Sequence, residues 1–320
     1  MLILRIIARM ISVAVTVVGM GEVSSQDFPN KPVRIVTAAP GGVSDLGARL
    51  IAQGLTASLG EPVIVDNRGG GAIAAPLVAK AAPDGYTLLY HGSNIWLLPL
   101  MQSVSYDPVK DLSPITQAGG SPNILAVHPS LPVKSVKELI SLAKARPGEL
   151  NYAGGTTGST IHIASELFKA MAGVNIVRIP YKGTAQALND VISGHVQVMF
   201  PNAGSGSPHV KSGRLRALAV TSAQPSTLLP GLPTVAASGV PGYEAVAMTA
   251  MFAPAKTPAP VINRLNQEIV RVLNQTDVKQ RFLDSGVEVV GSSPEEFAAA
   301  MKSDMSRVGK VIRDAGIRAD

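Results

Sequence analysis

The chain has 320 residues, of which 46% are hydrophobic and 16% charged, with a net charge of +6; this is enough apolar content for a large core, and the length favours two domains over one. It has no cysteine, which excludes thiol catalysis, cysteine-ligated metals and disulfides. Its basic residues are dispersed and aromatics make up only 4%, which argues against a nucleic-acid surface, where charge clusters and stacking rings interleave.

Arg5 and Arg9 flank the start of an apolar stretch, Met10 to Met20, which leads into Val23-Ser24-Ser25. A positive region, a short apolar run and small residues are the parts of a secretory signal peptide, here residues 1–25, and the run is short for a membrane span. The mature chain is therefore expected in the periplasm, soluble and held together by its core alone.

Beyond the leader, strand and helix patterns alternate. Val33–Val36 reads as a strand, and Asp45–Leu59 as a helix with Ile51, Leu55 and Leu59 on one face. Residues 62–65 form a second strand, 72–82 a helix stopped by "PDG", and 86–90 a third strand. The pattern restarts with a strand at 123–129 and a helix from Ser135, whose partner three residues on, Glu138, completes a capping box. "LNYAGG" leads into a helix from Thr160 to Met171. "VNIVRIP" is a strand, "TAQALNDVISG" a helix, and "VQVMF" and "LRALAVTS" are strands. After a Pro/Gly-rich stretch, 225–242, "AVAMTAMFAP" is a strand, and helices at 258–274, 276–284 and 294–314 close the chain. The alternation predicts an α/β fold with mostly parallel sheets. The terminal helices have no sheet of their own, so they are expected on the first domain. That gives lobe 1 as 26–125 with 247–320, lobe 2 as 126–246, and a ligand cleft between them.

Three segments repeat one design of strand, small polar residues and helix start: "APGGVSD", "YAGGTTGSTIH" and "IPYKGTAQ"; "MFPNAGSGSPH" is a looser fourth. Glycine permits close backbone approach, and the first N–H groups of a helix lack internal partners, so such loops suit an anion. Helix dipoles aimed at one cleft would hold a carboxylate without arginine, and only Lys182 carries a positive side chain in the first three loops. Asp45, in the first turn of its helix, reads as a loop brace.

Nucleotide signatures fail, since the glycine runs lack the Gly-Lys-Ser/Thr and G-x-G-x-x-G patterns. G-x-S-x-G is absent, and "SLAK" at 141–144 sits inside an amphipathic helix without companion motifs. His91, His128, His162, His195 and His209 are scattered, with no pair at metal-ligand spacing. His162 is either a structural hydrogen-bonded residue or one that reaches the cleft; Trp96 is either core or pocket wall. No catalytic residue, metal or cofactor is expected.

The segments "KPVRIVTAAPGGVSDLGARLIAQGL", "VDNRGGG", "AAPDGYTLL", "YDPVKDLSPI", "RIPYKGTAQALNDVISGHVQVMF" and "LPTVAASGVPGYE" strongly resemble the substrate-binding family of tripartite tricarboxylate transporters, the Bug proteins. The likeness runs in order along the whole mature chain. It implies a type II-like periplasmic binding protein fold, with each lobe a sheet flanked by helices. Such a receptor closes on a small carboxylate, di- or tricarboxylate or aromatic, and delivers it to the membrane transport subunits. It also implies that backbone groups and ordered waters hold the carboxylate at Ala39, Gly41, Gly42, Ser44 and Asp45. Asn94 and, from the facing lobe, Thr156, Thr157, Ser159, His162, Tyr181, Gly183, Thr184 and Asn202 complete the expected site. Thr37 and Ala38 stand where the family carries proline and a bulky residue, and Leu98-Pro99 where it often has Asn-Pro. With the apolar Trp96 and Leu97 nearby, these departures suit a larger or aromatic acid over a citrate-like one. The lobes carry no evident apolar dimer stripe, so a monomer is expected. A receptor that presents its ligand to a sensor kinase is the second reading. An exported hydrolase or isomerase using Asp45 or His162 is the third, and lacks a nucleophile, a metal and an acid–base pair.

Overall fold

The computed structural model describes residues 28–318, so the leader expected at 1–25 lies outside the described residues. The first half of the chain builds β1 (Val33–Thr37), α1 (Val43–Leu59), β2 (Val63–Asn67), α2 (Gly71–Ala79), β3 (Thr87–Gly92) and a single-turn α3 (Asn94–Leu97). A long β4 (Leu112–Pro122) then crosses directly into β5 (Ile124–Val127). There follow α4 (Val136–Ala145), β6 (Asn151–Gly154), α5 (Thr160–Ala172), β7 (Val177–Pro180), α6 (Thr184–Ile192), β8 (Val198–Met199), α7 (Ala203–Lys211) and β9 (Arg216–Val220). The chain returns through β10 (Val246–Pro254), α8 (Ala259–Leu273), α9 (Thr276–Asp284), β11 (Glu288–Val289) and α10 (Pro294–Asp314).

These strands form two sheets, of order β11-β4-β10-β3-β1-β2 and β7-β6-β8-β5-β9. The expectation of mostly parallel sheets is corrected: both are mixed. β1 runs parallel to β2 and β3, whereas β10 is antiparallel to β3 and β4. In the second sheet β6 runs parallel to β7 and β8, and β5 antiparallel to β8 and β9. The antiparallel pairs arise because β4 and β10 carry the chain out of the first sheet and back into it.

β4 went unread because "LSPITQAGGSP" contains two prolines and two glycines, which normally disfavour a strand. Its pairing with β10 carries two register shifts, which accommodate them. Gly119 is there for space: a Cβ would stand 2.6 Å from Val287 Cγ1.

Each sheet buries apolar side chains on both faces. One face of the first sheet packs Ile35 and Leu88 against Ile51 and Leu55 of α1 and Leu265 and Ile269 of α8. Its other face packs Phe252 against Trp96 of α3 and Phe297 and Ile312 of α10. Trp96 is core, not pocket wall: it is fully buried, edge-on to Phe297 at 5.8 Å, and its Nε1 donates to Asp304 at 2.8 Å. Helix ends follow local chemistry. Ser135 caps α4 by accepting from the Glu138 N–H, while the Glu138 carboxylate accepts from the Lys134 N–H, one residue earlier than a strict capping box places it.

Candidate functional site

The first glycine loop is a braced anion cradle. Gly41 turns with φ +85°, and Gly42 caps α1 without any side-chain hydrogen bond. Asp45, the third residue of α1, reaches back so that its carboxylate accepts from the Gly41 N–H at 3.0 Å. It also accepts from Asn67 Nδ2 at 2.9 Å and pairs with Arg49 at 3.0 Å. Burial opposes ionisation of this carboxyl, but Arg49, the Gly41 N–H and Asn67 outweigh it and hold the pKa at about 2. Asp45 is 6% exposed and its oxygens face the loop. Thr37, fully buried where the loop leaves β1, donates to the Tyr90 carbonyl at 2.8 Å and ties β1 to β3.

The second glycine loop repeats this construction with different chemistry. Gly158 turns with φ +75°, and Ser159 caps α5 by accepting from the His162 N–H. His162 occupies the position that Asp45 has in α1, and its Nδ1 accepts from the Gly158 N–H at 3.2 Å. This bond assigns the ring proton to Nε2. His162 is 4% exposed; burial, with Arg178 beside it, pushes its pKa down to about 4, so the ring is neutral at pH 7. Both braces sit behind their loops.

α7 supplies a third start. Asn202 caps it, with Oδ1 accepting from the Ser205 N–H at 3.0 Å and the Ser205 hydroxyl at 2.7 Å. The starts of α1, α5 and α7, together with Ser93 and Asn94, border one cavity of about 600 Å³ that both sheets help to line. Its remaining wall is apolar, built by Val43, Leu97, Ile163, Met248 and Val287, and no ionisable side chain lines it. Each helix start favours an anion by about 0.3–1 kcal/mol, up to about 2 kcal/mol when partly buried. The arrangement can hold a small acid by its carboxylate and shelter an apolar body.

Of the residues expected at the site, Ser44, Asn94, Ser159 and Asn202 line this cavity. Ala39, Gly41 and Gly42 lie exposed on the first loop, outside the cavity lining. Asp45 and His162 stand behind it as braces. Thr156, Thr157 and Tyr181 border a separate depression, while Gly183 and Thr184 begin α6 and line neither space. Ser205 could have been found from the loose fourth motif. Ile163, Met248 and Val287 carry no local signal, since they converge from α5, from β10 and from the turn before β11.

Two sheets joined by crossing strands, with a neutral cavity between them at converging helix starts, define a solute-binding protein of the periplasmic binding type. Residues 47–317 match the model of the tripartite tricarboxylate transporter family receptor. BugT of Bordetella pertussis is 37% identical over 302 residues, covering 92% of this chain and 93% of the relative. Among solved structures, R. palustris Rpa4515 with adipate is 38% identical at a TM-score of 0.73, covering 91% of this chain and 99% of the other. MatC (Rpa3494) from Rhodopseudomonas palustris with bound malate is 30% identical at 0.69, covering 89% and 100%. The chain belongs to the tripartite tricarboxylate transporter receptor family, the Bug proteins.

Proposed function

We propose that this protein is a periplasmic receptor that captures a small carboxylate between two lobes and hands it to the membrane subunits of a tripartite transporter. Residues 26–125 with 247–320 move as one lobe and 126–246 as the other, and residues 1–25 direct export. The observation that carries this reading is the neutral cavity bordered by helix starts from both sheets. In it, Ser44, Asn94, Ser159 and Asn202, with the free N–H groups of the helix starts, hold the carboxylate. The apolar wall of Leu97, Ile163, Met248 and Val287 supports an acid with a hydrocarbon or aromatic body. Citrate fits poorly, because three carboxylates would meet no cationic side chain. Adipate and malate, bound by the related proteins, lie within the proposed class.

Thermal melting of residues 26–320 against mono-, di- and tricarboxylates and aromatic acids tests this reading. An acid at about a hundred times its dissociation constant should add roughly 2.7 kcal/mol of stability. One or a few related acids should shift the melt and stay chemically intact. A panel with no shift refutes the carboxylate assignment, and turnover of a bound acid refutes the receptor.

A further inference from the structure

The segment "IPYKGTAQ" stays outside the main cavity, and its lysine has no role there. β6 and β7 run parallel, with Gly154 beside Pro180, so their carboxyl ends open at one place. Here Gly155, Thr156, Thr157, Arg178, Tyr181 and Lys182 border a depression of about 470 Å³. The Arg178 stem lies flat over Gly154, where a Cβ would stand 2.8 Å from Nε. Nη2 donates to the Gly155 carbonyl at 2.9 Å and lies 3.4 Å from Thr157 Oγ1, which fixes the guanidinium across the loop. Its Nε is buried without a hydrogen-bond partner.

Among the described residues, no carboxylate pairs with Arg178 or Lys182. Two acids of the same half of the molecule are already engaged: Asp190 accepts from the Tyr181 hydroxyl at 2.6 Å, and Glu166 from Lys169 and Tyr152. α6 begins just beyond Lys182, and Gly183 offers it no side-chain cap, so its first N–H groups add positive potential at the same edge. A fixed guanidinium fork with a mobile ammonium beside it matches a carboxylate better than any other common anion-free arrangement of a surface.

We propose that this depression is a second carboxylate site, which holds small acids by the charges of Arg178 and Lys182 where the main cavity relies on neutral dipoles. All its lining residues come from the second sheet and its loops, so it is complete before any closure. It acts as an outer station at the carboxyl ends of the strands that also feed the main cavity.

Adipate titrated into ¹⁵N-labelled protein, followed by NMR at two probes, tests this. Trp96 is the only tryptophan, so its indole N–H is a single resonance reporting on the wall behind Leu97, and the Arg178 Nε–H reports on the depression. The Arg178 signal should saturate with its own midpoint and weaken as salt is raised toward about 0.15 M. Lys182→Gln, which removes no structural contact, should shift the Arg178 midpoint by roughly threefold and leave the Trp96 curve in place. A response at Trp96 with silence at Arg178 overturns this site and leaves the main cavity standing. A response at Arg178 alone supports this site and counts against the main cavity for adipate. Silence at both, or a single shared midpoint that Lys182→Gln does not move, overturns the second site.

Discussion

Replacing Asp45 by asparagine separates a brace from a ligand contact. In the folded protein this carboxylate accepts from the Gly41 N–H and Asn67 Nδ2 and pairs with Arg49, which holds its pKa at about 2 against an ordinary 3.8. That depression corresponds to about 2 kcal/mol by linkage, and to nearer 1 kcal/mol once solvent screening at the half-exposed Arg49 is discounted. Because the folded pKa is the lower one, the contribution is fully present above about pH 4 and is lost as pH falls through about 2. An asparagine keeps one acceptor but turns an N–H toward either Gly41 or Asn67, so a donor faces a donor. Urea unfolding at pH 7 should show Asp45→Asn less stable by about 1–2 kcal/mol, with the gap to wild type shrinking as pH drops toward 2. Calorimetric titration with the acid that shifts the melt most should show about tenfold weaker binding, since the loop carrying the α1 start loosens. A stability gap that ignores pH, or full affinity in the variant, refutes the bracing argument.

Three further outcomes follow from the same geometry. The His162 ring protons should show no titration between about pH 5.5 and 8 by NMR, because burial and Arg178 lower the pKa to about 4; a midpoint near 6.5 would contradict the neutral brace. As the folded pKa is again the lower one, His162 contributes stability above pH 6.5 that declines as pH falls toward 4. Gly47→Ala places a Cβ 2.5 Å from the Tyr90 hydroxyl in a full core, and should cost about 1–3 kcal/mol in urea unfolding; an unchanged midpoint would show that Tyr90 can move. Ser159→Ala removes the α5 cap, which should cost about 1 kcal/mol and weaken acid binding in the same calorimetric assay, and loss of stability with affinity intact would place Ser159 outside the ligand's reach.

Much of the first lobe's wall was legible because its signals are local. The 3.6-residue spacing of Ile51, Leu55 and Leu59 reports one buried helix face, and all three pack in the core. The glycine loops were legible for the same reason, since positive φ at Gly41 and Gly158 needs glycine within a few residues of the helix start. β4 was not, because its stability comes from β10, more than a hundred residues away, and not from its own propensities. The cavity wall failed similarly: Met248 and Val287 are ordinary apolar residues until the return of β10 and the turn after α9 bring them to the helix starts. Asp45 and His162 share a register, third in their helices, yet one is a carboxylate and the other an imidazole. Only the backbone shows that they accept from equivalent glycine N–H groups.

That shared register bears on how the proposed receptor works. Each lobe presents a glycine turned to positive φ, a helix start with free N–H groups, and a buried acceptor that fixes the turn from behind. An acid touching one lobe meets a single braced start of this kind, worth at most about 2 kcal/mol. Closing brings the second start to the same carboxylate and adds a similar amount, which shifts the open–closed equilibrium by a factor of about 30. The absence of a cationic side chain from the cavity lining keeps each half-site weak. A strong charge there would let one lobe bind fully while the cleft stayed open, and the ligand would then carry no preference for the closed form. Neutral, divided recognition is therefore what makes closure depend on the acid, and it confines charge-based capture to the rim, where Arg178 and Lys182 stand.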